Sequence, residues 1–149
     1  MIIETKAFGP MEIDERQIIQ FRTGILGFTH LKEYALIDSQ QPPFFILQAI
    51  QDRETSFIIM SPEVFRSDYG LDLASDELDE LEWEDDEELL VMAIVTIPQD
   101  GSPITANLQG PVIINKQKRL GKQAIQLSPI WKTRHLVLEE MAHKGGAPC

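Results

Sequence analysis

Three histidines, one cysteine and a run of acids are the side chains of this sequence that could do chemistry. The histidines are His30, His135 and His143. A zinc site asks for ligands at paired spacing, as in HExxH, and no two of these have it, so all three read as surface histidines. The run EDDEE (84–88) is rich in oxygen donors. It lacks the alternating ligands, central glycine and terminal glutamate of a calcium loop. Five adjacent carboxylates in a polar loop stay ionised and solvated, which is not the tuning that acid/base work requires. Gly24-Ile-Leu-Gly27 has too few glycines, in the wrong context, to cradle a phosphate and reads as a structural turn. The nucleophile elbow GxSxG is absent. Cys149 is the only cysteine, which leaves no internal disulfide and no cysteine-based metal site. The expectation is a protein without catalytic residues, metal or cofactor.

One stretch remains, TANLQGPVIIN, from Thr105 to Asn115. Gly110-Pro111 suits a tight turn between two strands, glycine supplying an unusual backbone angle and proline fixing the next. Asn107 and Asn115 bracket it, and asparagine side chains often satisfy turn backbone. The other reading is a contact surface.

The elements that would position such a surface are mostly strands. IIETKA (2–7), ended by Gly9-Pro10, is followed by QIIQF (17–21), YALID (34–38), FFILQAI (44–50) and SFIIM (56–60). LLVMAIVTI (89–97) is apolar on both faces and should be buried on both. ITANLQ, PVIIN and the alternating QAIQL (123–127) complete the set. Short strands between turn residues, without long helical periods, favour an all-β, mainly antiparallel sandwich or barrel. The few helices are short. One opens at Pro62. SDELDEL (75–81) has Ser75 as its cap, and RHLVLEEMA (134–142) packs Val137, Leu138, Met141 and Ala142. A single domain over residues 1–142 and a flexible tail over 143–149 follow.

Charge is the strongest compositional signal. The net is −11 over 149 residues, and between Arg66 and Lys116 there are 13 acids and no Lys or Arg. A chain this acidic is repelled by nucleic acid phosphates and by anionic membrane. The N-terminal MIIETKAF lacks a signal peptide's basic-then-apolar pattern, and no apolar run approaches the roughly 20 residues of a membrane helix. The expected place is the cytoplasm.

The segments IIETKAFG, QIIQFRTGILGFTHLKEYALI, PPFFILQAIQD and TANLQGPVIINKQKRLGKQAIQL together resemble the FliW flagellar assembly factor family. The residues that carry the likeness are Phe21, Gly24, Ile25, Leu26, Gly27 and Phe28, then Leu47 and Gln48, then Pro62 and Tyr69. The last set is Asn107, Leu108, Pro111, Val112, Asn115, Arg119, Gly121 and Gln123. Gly110 stands where the family often has Ala or Ser. The resemblance implies a small antiparallel barrel-like domain with a few short helices. It implies a protein, monomeric when free, that binds two partners in turn. One is the carbon storage regulator CsrA, a small basic-surfaced RNA-binding dimer that represses flagellin translation; the other is flagellin. Flagellin in the cytosol occupies the factor and leaves CsrA free to repress; exported flagellin releases the factor, which then acts on CsrA allosterically. The implied contact residues are Phe45, Leu47, Gln48, Asn107, Leu108 and Pro111. Asp76, Glu77, Asp79, Glu80, Glu82, Glu84, Asp85 and Asp86 would steer a basic partner, since opposite fields raise association rates by roughly 10- to 1000-fold at low salt. The alternative is a small-ligand-binding or enzymatic barrel, marked by a deep apolar pocket with convergent polar groups.

Overall fold

β-branched and aromatic residues dominate the runs that become strands, as a packed, pleated surface favours. The computed structural model describes residues 1–146. Within them lie β1 Ile2–Thr5, β2 Gly9–Glu12, β3 Ile18–Gln20, β4 Glu33–Asp38, β5 Phe45–Ala49, β6 Ser56–Met60, β7 Leu89–Thr96, β8 Thr105–Asn115, β9 Leu120–Gln123 and β10 His135–Leu136, followed by α1 Val137–Gly146. Strands β3 to β8 form an antiparallel meander. β9 pairs antiparallel with β8 and, at Gln20 and Leu120, parallel with β3. That last pairing closes a seven-stranded barrel and removes both edges of the sheet. The expected all-β, mainly antiparallel barrel is what the chain forms.

Side-chain alternation sorts the residues into an interior and three outer covers. Phe21, Tyr34, Leu47, Ile59, Met92, Val112 and Ile114 fill the barrel. On the opposite sheet face, Ala93, Val95, Ala106 and Leu108 lie under Phe65, Trp131 and Val137. The β1–β2 hairpin lays Ile3 and Ile13 over Ala35, Ile37 and Ile46. Leu81, with Leu73 and Leu78, covers Ile113, Leu120 and Ala124. β7 is therefore packed on both faces, as its unbroken apolar run requires.

Several local expectations are corrected. Gly9-Pro10 does not end a strand but starts β2, which returns antiparallel along β1. Ser75 caps nothing. Residues 75–78 form turns, and a single 3₁₀ turn, Asp79–Leu81, drops Leu81 into the core. Glu82, at φ 49°, ends it. His135 and Leu136 are β-paired with β8, so the terminal helix begins three residues later than expected. Its packed stripe is Val137, Glu140 and Met141, while Leu138 points outward. α1 also runs to Gly146, beyond the expected boundary at residue 142. Cys149 and the end of the expected tail lie outside the described residues.

Two substitutions test the barrel interior. A Cβ on Gly121 would sit 2.5 Å from Phe21 Cζ, and Phe21 is fully buried with its ring edge-on to Tyr34 at 5.2 Å. Gly121→Ala is expected to cost about 1–3 kcal/mol by overpacking, read as a lower Tm. The Tyr34 hydroxyl is the one buried side-chain polar atom without a partner among the described residues. Burial, with a smaller push from Asp52, raises its phenol to about 12. Tyr34→Phe is expected to leave stability level or raise it by up to about 1 kcal/mol, since an unpaired buried hydroxyl contributes nothing favourable. A clear fall in Tm would show that the hydroxyl is bonded.

Candidate protein-binding surface

The stretch Thr105–Asn115 is one strand, not two joined by a turn. Both halves run along β7, with Met92 opposite Val112 and Ile94 opposite Asn107. Residues 108–111 therefore stand opposite the single Ala93 as a large bulge. Asn107 holds it, its Oδ1 accepting from the Gln109 and Gly110 amides at 3.0 and 2.9 Å. The Leu108 and Gln109 amides also donate to the Lys132 carbonyl, and the Tyr69 hydroxyl donates to the Leu108 carbonyl at 2.7 Å. Gln123 Nε2 donates to the Gly110 carbonyl at 3.0 Å, while its Oε1 accepts from the Leu26 amide. A Cβ on Gly110 would stand 2.8 Å from Gln123 Nε2, the movable end of a side chain, so a small residue here would have to displace the Gln123 amide.

The six residues expected to form a contact surface are not brought to one surface. Leu47, Gln48 and Leu108 are fully buried and Pro111 is buried. Leu47 packs inside the barrel, and Leu108 lies under Trp131. Gln48 Nε2 donates to the carbonyls of Ala49, Asp52, Arg53 and Thr55, and its Oε1 accepts from the Lys6 amide. It ties the β5–β6 turn and the N-terminal hairpin to the barrel. Asn107 is half-buried and bound to its own bulge. Phe45 alone is open, at 41% exposure. In this conformation the buried four are frame, and a partner would meet other side chains.

The acids divide into two groups. Glu77 and Glu80 pair with Lys122 at 3.7 and 3.3 Å, Glu82 with Arg22 at 2.6 Å, and Glu84 with Lys118 at 3.7 Å. These cations come from segments remote in sequence and fasten the acidic segment to the barrel. Asn115 assists, donating from Nδ2 to the Leu81 carbonyl and to Glu87 Oε1. Burial acts to raise the Glu87 carboxyl, but hydrogen bonds from Asn115, the Glu84 amide and Lys118 outweigh it and hold the group below its usual range. Asp76, Asp79, Asp85 and Asp86 are exposed and make no ion pair among the described residues. The steering expectation thus narrows to these four.

Within this acidic segment lies a groove of about 530 Å³, lined by Leu71, Leu73, Ala74, Ser75, Leu78, Trp83, Asp79 and Glu82. Leu71 and Trp83 are 38% and 42% exposed. Ile125 and Leu127, 51% and 60% exposed, flank the same segment, with the Ile125 amide donating to Glu77 Oε1 and the Leu127 amide to the Asp72 carbonyl. In QAIQL the exposed positions are the apolar ones, while Gln126 is buried and bonded to the Asp72 amide and Gly70 carbonyl. The sequence signal that was passed over is the interleaving of Leu71, Leu73, Leu78 and Trp83 with acids.

A second polar cluster anchors α1. His135 is buried, not on the surface as expected. Its Nε2 accepts from the Lys132 amide at 2.8 Å, so Nδ1 carries the proton toward Glu140 at 3.0 Å. Glu140 also pairs with Arg66, which bonds Asp68 and lies 4.8 Å from the Trp131 ring centroid. Arg66 holds the Asp68 carboxyl below its usual range. Asp14, Asp52 and Asp100 are shifted in the same direction by hydrogen bonds. No three His, Asp or Glu side chains gather as a metal-holding group among the described residues, and no helix there is long and apolar enough to cross a membrane.

Fold and surface define a small closed β-barrel, filled inside and carrying an acid-rimmed apolar groove outside. Its relatives say which barrel. The FliW protein family model matches residues 2–137. The chain is 46% identical over 145 residues to the flagellar assembly factor FliW of Treponema denticola, across 97% of this chain and 99% of that one. It is 41% identical over 144 residues to the flagellar assembly factor FliW of Treponema pallidum, across 97% and 96%. A crystal structure of the flagellar assembly factor FliW superposes with a TM-score of 0.85 at 34% identity, covering 92% of this chain and 96% of that one. The chain belongs to the FliW family.

Asn107 separates frame from contact. Asn107→Ala leaves the Gln109 and Gly110 amides without their side-chain acceptor and is expected to destabilise the protein by about 1–3 kcal/mol. Asn107→Asp keeps the acceptor and should recover most of the loss in a thermal melt. An unchanged Tm for Asn107→Ala would return the residue to the contact reading.

Proposed function

We propose that this protein is a cytoplasmic flagellar assembly factor that works by binding other proteins and catalyses nothing. Its partners are CsrA and flagellin, bound in turn. Cytosolic flagellin occupies the factor and leaves CsrA free to repress flagellin translation. Export of flagellin frees the factor to bind CsrA away from its main RNA contacts and lift the repression. Membership of the FliW family supports the assembly role, and the acid-rimmed groove is the observation that carries the choice of a basic protein partner. Asp79 in the groove, with Asp76, Asp85 and Asp86 on the same segment, makes no ion pair among the described residues; together they would attract a basic surface and repel RNA phosphates. Leu71 and Trp83 are the kind of apolar anchors that supply affinity at interfaces. The barrel interior is filled by aromatic and aliphatic side chains, which favours this reading over a ligand-binding barrel.

Size-exclusion chromatography of the protein with CsrA, with flagellin and with both tests the proposal. The expected result is co-elution with each partner singly and displacement of CsrA by flagellin. A ternary complex would overturn mutual exclusion, and failure to bind either partner at micromolar concentration would overturn the partner assignment.

A further inference from the structure

The groove over residues 71–83 says something about the shape of its occupant. Its walls are fixed before anything binds. Gln126 clamps Gly70 and Asp72, Asn115 holds the Leu81 carbonyl, and Lys118 Nζ donates to the Glu82 carbonyl. Glu77 caps the Ile125 amide, and Lys122 reaches both Glu77 and Glu80. A site held this way loses little freedom on binding.

The mode of docking follows from barrel closure. β9, the strand beneath this segment, is paired with β8 on one side and β3 on the other. Residues 71–88 contain no strand. A partner strand therefore finds no edge here to extend, and recognition falls to side chains entering an apolar groove, as an amphipathic helix does. The lining decides the sign of its flanks: Asp79 lines the groove, is exposed and makes no ion pair among the described residues, and Asp76, beside the lining Ser75, is likewise exposed and without one. A second copy of the chain fits poorly. It would bring the same acids, and its α1 begins with Glu139 and Glu140.

We infer that the groove lined by Leu71, Leu73, Leu78 and Trp83 receives one face of an amphipathic helix of a partner protein, whose apolar side chains are flanked by Lys or Arg. This rests on the proposed binding role and adds the place and form of the contact. Trp83 is the central anchor: its ring is half-open, and its Nε1 is already occupied by the Glu87 carbonyl at 2.9 Å. The indole thus offers apolar surface without leaving a donor unpaired.

The chain has two tryptophans, and Trp131 is 4% exposed, so a change in emission on binding here reports Trp83. The full protein is titrated with a synthetic leucine–lysine helix, with its leucine–glutamate counterpart, and with purified CsrA and flagellin. Leu71→Ser, Trp83→Ser and Trp83→Phe are run alongside, with Phe8→Ser as a control in the uncharged apolar hollow shared with Phe44 and Ile97. The lysine helix should shift emission to the blue in the wild type but not in Trp83→Phe, and the glutamate helix should not. Leu71→Ser and Trp83→Ser should each weaken binding about tenfold or more while melting like the wild type; Phe8→Ser should not weaken it. No blue shift, or the same shift with both helices, overturns the inference. If the two groove variants bind CsrA as the wild type does, the groove is not its site and the partner reading survives. If the lysine helix fills the groove while neither CsrA nor flagellin binds, the groove stands and the partner reading falls.

Discussion

Closure of the barrel through β9 is the constraint on which the rest of the structure depends. β9 is four residues long, yet it pairs with β8 along its length and meets β3 at Gln20 and Leu120. The approach needs a residue with no side chain at position 121, where Phe21 crosses the barrel interior. Once the ring is closed, the strands of the barrel have little backbone left over. Every segment crossing the outside must find other means of attachment, since buried polar groups require partners.

Side-chain amides supply that attachment. Gln48, Asn115, Gln123 and Gln126 each reach backbone groups of segments that no strand ladder connects to their own, while Asn107 braces the bulge within β8. An amide can donate and accept at once, so one side chain can satisfy two segments. Gln48 binds a hairpin and a turn; Asn115 binds the Leu81 carbonyl and Glu87. The acidic segment is held by these amides together with Arg22, Lys118 and Lys122. What is left over is the apolar groove and the acids without an ion pair among the described residues, Asp76, Asp79, Asp85 and Asp86 among them.

This division explains the character of the residues that carry the family resemblance. Phe21, Leu47, Gln48, Leu108, Asn115, Gly121 and Gln123 close, fill or tie the barrel, and most are buried. They identify the fold and say little about the surface. The proposed contact surface draws instead on Leu71, Trp83, Ile125 and Leu127, which are exposed and answer less to packing.

The sequence by itself determined most of the strands, the mainly antiparallel class and the doubly packed β7, because those follow from local alternation and from apolar runs bounded by turn residues. The alternating QAIQL (123–127) is an exception, since β9 is Leu120–Gln123 and residues 124–127 lie outside any strand. It also carried the acidic excess of the middle segment, since charge can be counted. Tertiary structure alone decided the rest. Gly110-Pro111 reads locally as a turn, but β7 runs past both halves of Thr105–Asn115 and makes it a bulge. Ser75 reads as a cap, but Leu81 is drawn into the core and the helix does not form. His135 reads as a surface residue, but Lys132 and Glu140 bury it. The acids read as a uniform field, but three cations, at positions 22, 118 and 122, pair with half of those singled out. Except for His135, whose partners are three and five residues away, the deciding partner lies on another element or loop, at a distance that neither periodicity nor spacing can express.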